Sequence, residues 1–181
     1  MKQKISTIAI AILSFFVMAS CEKEETNAVS DCGKPASAAP AGLVGNWASG
    51  YASMTQLVDV YNGKYVGNAW VSGKFFKITN NGKGAEFYYS AQSQYAQTAT
   101  KATGSIFFEA GSTATEGSFI FSPCNAHYKG WGSIVVDRDA TATELENNLT
   151  ARYYYRLDGQ WLRIQPNAPV NDYSSSFKLV N

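Results

Sequence analysis

Arg152-Tyr153-Tyr154-Tyr155-Arg156-Leu157-Asp158-Gly159-Gln160-Trp161-Leu162-Arg163-Ile164-Gln165 is the stretch whose reading decides the fold. Two runs rich in aromatic and apolar residues flank Asp158-Gly159, a dipeptide that suits a two-residue hairpin turn. With that dipeptide as the turn, Leu157 faces Gln160, Tyr155 faces Leu162 and Tyr153 faces Ile164. The opposite face pairs Arg156 with Trp161 and Tyr154 with Arg163. One side is then apolar and the other cation-aromatic, as a sheet buried on one face requires. A slip of one residue would mix the two.

The same pattern recurs upstream. Gly73 to Thr79 and Ala85 to Ser90 flank Asn80-Asn81-Gly82-Lys83-Gly84, a glycine-bearing loop of hairpin length. Ser105 to Ala110 and Ser118 to Ser122 flank a second loop rich in Gly, Ser and Thr, and Ser133 to Asp137 forms a further run. Short strands at this spacing, with no long helical pattern between them, imply an all-β antiparallel meander that closes into a barrel or folds into a β-sandwich. One short helix is expected late in the chain, because Thr141-Ala142-Thr143-Glu144 has capping-box spacing before Leu145 and Leu149. Tyr51 to Tyr65 has no clean period of two, although Asn62-Gly63 offers a hairpin turn.

Composition agrees. Aromatic residues make up 14% of the 181-residue chain and charged residues only 16%, a balance that suits pleated, half-buried surfaces better than helices. With 15 Lys plus Arg against 14 Asp plus Glu, the near-neutral chain offers no electrostatic footprint for nucleic acid.

The amino terminus reads as an address. Lys2 and Lys4 precede an uncharged run from Ile5 to Ala19, which suits a signal h-region and is short for a spanning helix. Met18-Ala19-Ser20-Cys21 resembles a bacterial lipobox, with Met18 in the place usually held by Leu. That resemblance implies cleavage before Cys21 and acylation of its thiol and new amino group by palmitate-class chains, with the membrane as a partner through the lipid. Buried methylenes contribute about 0.8 kcal/mol each, so a multiply acylated cysteine anchors stably. Glu22-Lys23-Glu24-Glu25 resembles the Lys-acidic-acidic signal that marks export to the cell surface in one group of Gram-negative lipoproteins. The chain then divides into a signal peptide over 1–20, a flexible tether over 21–42 and a β domain over 43–181. The tether is rich in Ala and Ser, carries Pro35 and Pro40, and lacks the apolar content to offset its ordering entropy. With Cys21 acylated, Cys32 and Cys124 are left for an oxidising compartment, and a disulfide between them is the economical reading. Cys32 free, or paired between chains, is the other.

Gly45-Asn46-Trp47, opening an all-β domain of this length, resembles the G-x-W start of lipocalins and lipocalin-like barrels. The resemblance implies an eight-stranded up-and-down barrel in which Trp47 plugs the closed end beside Gly45. It also implies an arginine of a late strand packed across the Trp47 ring, for which Arg163 and Arg156 are the candidates. In such a barrel Phe76, Ile78, Phe87, Tyr89, Phe108, Phe119 and Phe121, with Tyr153 and Tyr155 of the hairpin, fill the interior or leave a pocket for a lipophilic molecule. A void of roughly 300 Å³ or more would mark the second case. Clustered instead on an exposed face, Tyr88, Tyr95, Tyr128, Trp131, Tyr154 and Trp161 would stack on a glycan or a protein partner.

Catalytic chemistry is poorly provided for. His127 is the only histidine and lies three residues after Cys124, but an oxidised Cys124 cannot act as a nucleophile. The pair falls short of the three protein ligands that zinc usually takes. Asp137 and Asp139 share one strand face, flanking Arg138, and read as a solvated strand end. Neither enzymatic activity nor a cofactor is expected.

Overall fold

The computed structural model describes residues 33–52, 56–58, 65–68, 71–93 and 95–180. The signal segment, Cys21, the charge run 22–25, Cys32 and Asn62-Gly63 lie outside the described residues. Alternating apolar and polar residues produce strands β1 (Gly45–Ala52), β2 (Gln56–Val58), β3 (Tyr65–Asn68), β4 (Val71–Ile78), β5 (Lys83–Gln92), β6 (Ala96–Phe108), β7 (Glu116–Gly132) and β8 (Val136–Asp139). A helical turn α1 (Ala142–Glu144) runs into a π-helical turn over Leu145–Leu149, followed by β9 (Ala151–Asp158), β10 (Trp161–Pro166) and β11 (Ser175–Val180).

Hydrogen bonding runs β1-β4-β5-β6-β7-β9-β10-β11 and returns from β11 to β1, with every pair antiparallel. The β6–β7 ladder closes the ring, so the domain is an eight-stranded lipocalin-like up-and-down barrel and not a sandwich. Closure removes the free edges of the sheet. The β2–β3 pair is a separate ribbon between β1 and β4, and β8 is added to the end of β7.

Two bulges bend the wall. Cys124 is the extra residue between the pairs Thr103↔Asn125 and Gly104↔Pro123. Pro123, which has no N–H to give a ladder, sits at that irregularity as a strand proline must. Gly104 is required there, because a Cβ would lie 2.2 Å from the Ser122 carbonyl oxygen.

The β9–β10 hairpin corrects the register expected from Asp158-Gly159. Trp161 faces Asp158, Leu162 faces Leu157, Ile164 faces Tyr155 and Arg163 faces Arg156. The turn is Gly159-Gln160, with Gly159 at φ 61° as the first central residue, as a type II′ turn demands. The pairing differs from the expected one by two residues, so every side chain keeps its face. Asp158 accepts from Arg156 Nε at 3.1 Å and forms an ion pair with Arg163 Nε at 3.4 Å, which relieves the facing arginines.

The interior core occupies the half of the barrel at the start of β1. Phe76, Phe119, Phe121, Tyr155, Leu162 and Phe177 are fully or almost fully buried, each stabilising the fold by about 1.5–3 kcal/mol through lost apolar exposure. Residues 37–42, assigned to the tether on composition, are bound to this end. Ser37 N–H donates to Ile106 O at 3.1 Å, Phe108 N–H donates to Ser37 Oγ at 2.7 Å, and Ala39 N–H donates to Asn80 O at 3.0 Å. Their backbone groups supply what their side chains lack. Leu43 follows as a buried plug.

The late helix forms through the expected capping box, with Thr141 Oγ1 and Glu144 each holding the other's backbone N–H. Thr150 N–H then donates to Leu145 O at 2.9 Å, the wider π spacing. Leu145 and Leu149 pack against the core. Ser133 to Val135 form the turn into β8 rather than strand, and Val135 is 87% exposed there.

Candidate functional site

Where the packed rings stop, the opposite half of the barrel holds a half-open cavity of about 270 Å³. Its floor and walls are inward side chains from strands around the ring: Phe76 on β4, Phe87 and Tyr89 on β5, Tyr153 on β9 and Phe177 on β11. Leu149, from the π-helical turn, reaches the same cavity. Phe76 joins cavity to core, its ring lying 4.9 Å from Phe87, 5.2 Å from Tyr153 and 5.8 Å from Phe177. The volume is slightly below the roughly 300 Å³ at the lower end of small-molecule sites. It equals about nine waters at the ~30 Å³ each takes in the liquid.

Polar groups are few. Lys74 lies inward on β4 and donates from Nζ to Ser175 Oγ at 3.0 Å. Burial alone pushes the Tyr153 phenol up to about 12, so it remains a neutral donor at physiological pH. Lys74 and Ser175 also belong to a smaller adjoining pocket of about 110 Å³, lined by Ser49, Gly50, Ser72 and Gly73.

The outer wall carries a second cluster. His127 on β7 is held between two carboxylates, with Nδ1 2.8 Å from Asp139 Oδ1 and Nε2 2.8 Å from Asp137 Oδ1. The hydrogen bond to Asp139, then that to Asp137, raises the His127 pKa, since both carboxylates favour the doubly protonated ring. Asp137 is lowered in turn by His127 and Lys129. Beside it Arg138 makes a bidentate pair with Glu144 at 2.8 and 2.7 Å and lies 5.2 Å over the Tyr128 ring. These contacts hold the Glu144 carboxyl down at about 2, Arg138 being the largest cause. His127 and its partners staple β8 and the helix to β7. Cys124 is disulfide-bonded, with its partner outside the described residues, and so is no nucleophile beside His127.

Trp47 is 3% exposed at the filled end, and its Nε1 donates to Leu43 O at 2.8 Å. Arg163 does not pack on it. Leu162 and Ile164 point inward, so Arg163 points outward toward Asp158 and Asp172, and Arg156 shares that outer face. The indole is instead held at its edge by the Leu43 carbonyl of the plug segment. Gly45 has φ 143° and a close neighbour in Leu179 Cδ1, 2.6 Å from where a Cβ would stand. The exposed aromatics form no single platform. Trp161 lies at the filled end under Lys178, Nζ 4.4 Å from the ring centre, whereas Trp131 lies at the open end beside Lys129. Tyr128 is covered by Arg138, and Tyr88 stands on a different part of the wall.

Among the described residues no helix is long and apolar enough to cross a membrane, and no group of three or more His, Cys, Asp or Glu could hold a metal. No family model, curated protein or solved structure matches the chain. The sequence reading found the aromatic lining but missed the polar groups at its edge. The available signal was Lys74 itself, two and four residues before Phe76 and Ile78 and hence on their inward face.

Proposed function

We propose that this chain is a non-enzymatic lipoprotein, anchored in a bacterial outer membrane through acylated Cys21 and displayed at the cell surface, that binds a small apolar or amphipathic molecule in its barrel. The observation that carries the binding reading is the aromatic-walled cavity above a filled core. A barrel needing only stability would pack both halves, since an unfilled apolar void forfeits contacts. The anchor reading rests on Lys2, Lys4, the apolar run to Ala19 and Met18-Ala19-Ser20-Cys21. Binding needs no catalytic group, and His127 has both ring nitrogens engaged.

Two measurements test this. Cys21→Ser should abolish fatty-acid labelling, and persistence of the label would refute the anchor. Native mass spectrometry of protein purified from its host should show a co-purifying molecule that Phe76→Trp, which fills the cavity, excludes. A ligand-free mass for the unaltered protein would refute the binding reading.

A further inference from the structure

The small pocket beside the mainly aromatic cavity is bordered by polar side chains and backbone alone. Ser49 on β1 faces Lys74 on β4, and Ser72 lies two residues before Lys74 on the same inward row. Ser175 on β11 accepts the hydrogen bond from Lys74 Nζ. One ammonium and three hydroxyls therefore border a space of about 110 Å³, where Gly50 and Gly73 bring only backbone. Lys74 and Ser175 line both spaces, so the polar pocket borders the aromatic cavity.

Charge balance at this point is incomplete. Among the described residues, no carboxylate lies within ion-pair distance of Lys74, although Lys77, Lys101 and Lys129 on the outer wall each reach one. The Ser49 and Ser72 hydroxyls likewise bond no other described residue. A half-buried ammonium with no carboxylate partner gains from an anion that brings its own charge and acceptors. Each hydroxyl can donate to the same oxyanion.

We infer that the barrel takes an anionic amphiphile, its apolar chain on the aromatic floor and its carboxylate between Lys74 and the Ser49, Ser72 and Ser175 hydroxyls. This rests on the binding reading above and names the ligand class for that site. The two volumes limit the molecule to a short chain with a compact head, and a cationic amphiphile is excluded by Lys74.

The test compares octanoate with 1-octanol, which share an eight-carbon chain, by isothermal titration calorimetry on the purified full chain. Octanoate should bind at least about tenfold tighter, the scale of one charge-assisted hydrogen bond. Lys74→Met should bring the two affinities together, while Lys74→Arg should keep the preference. Equal binding of the two probes to the unaltered chain, or a preference that survives Lys74→Met, would overturn the head-group assignment and leave the cavity standing. Binding of neither probe would overturn the cavity reading itself. The two-probe comparison needs no variant, so it decides the matter even where Lys74→Met does not fold.

Discussion

Truncating Phe119 to alanine tests the barrel interior most directly. Phe119 on β7 faces Phe108 of β6 on one side and Tyr153 of β9 on the other, with ring centres 5.5 and 5.4 Å away, and meets the Phe76 edge at 5.9 Å. It is 0% exposed and does not line the cavity, so Phe119→Ala opens a new enclosed void. Buried Phe→Ala changes cost about 3–5 kcal/mol. Here the strand is hydrogen-bonded on both sides and cannot collapse inward, so we expect ~4 kcal/mol. At 2–4 °C per kcal/mol for a chain of this size, Tm should fall by about 8–16 °C. Urea titration followed by the fluorescence of buried Trp47 measures the loss, with an unchanged m-value confirming a native-state effect. Phe107→Ala is the control: its ring faces outward and is 39% exposed, so the cost should stay below about 0.5 kcal/mol. A cost under ~1 kcal/mol for Phe119→Ala, or equal costs at both sites, would refute the β6–β7 register, because a one-residue slip exchanges the faces of Phe107 and Phe108.

The remaining expectations concern charge and covalent structure. His127 should titrate above its ordinary value near 6.5 in an NMR pH series. A raised folded-state pKa means that its contribution is fully present below the unfolded pKa and is lost as pH rises through the folded one. The protection factors of the β7–β8 amides, which correct for the intrinsic pH dependence of exchange, should therefore fall on the alkaline side of that transition, and a His127 titration at or below the ordinary value would remove the clamp. Cys124 should pair with Cys32: alkylation of the unreduced, unfolded protein should leave both untouched by intact mass, and two alkylated cysteines would sink the pairing.

What the sequence determined by itself is what local chemistry can specify. Period-two alternation put Phe76, Ile78, Phe119, Phe121 and Tyr155 on an inward face, and they are buried there. The reciprocal hydrogen bonds of Thr141 and Glu144 depend on a spacing of three residues, so the start of the late helix was legible, though not its π-helical continuation over Leu145–Leu149. The β9–β10 face assignment survived a two-residue error in pairing, because faces depend on parity whereas partners depend on where the turn falls. Gly159 decided the turn by accepting a left-handed backbone that Asp158 would adopt only at a cost.

Only the tertiary structure decided the rest, because it depends on residues far apart in the chain. Barrel and sandwich share the same strand pattern, and the β6–β7 ladder that closes the ring includes Ala96 to Thr103, a run too polar to announce a strand. Residues 37–42 look like tether because they dock through backbone donors and the Ser37 hydroxyl rather than apolar side chains, which composition does not record. Arg163 falls outside the barrel by the parity of Leu162 and Ile164, leaving Trp47 to a carbonyl. Lys74 meets Ser175 from 101 positions away, across β1, so this polar corner of the cavity exists only once β4, β1 and β11 lie side by side.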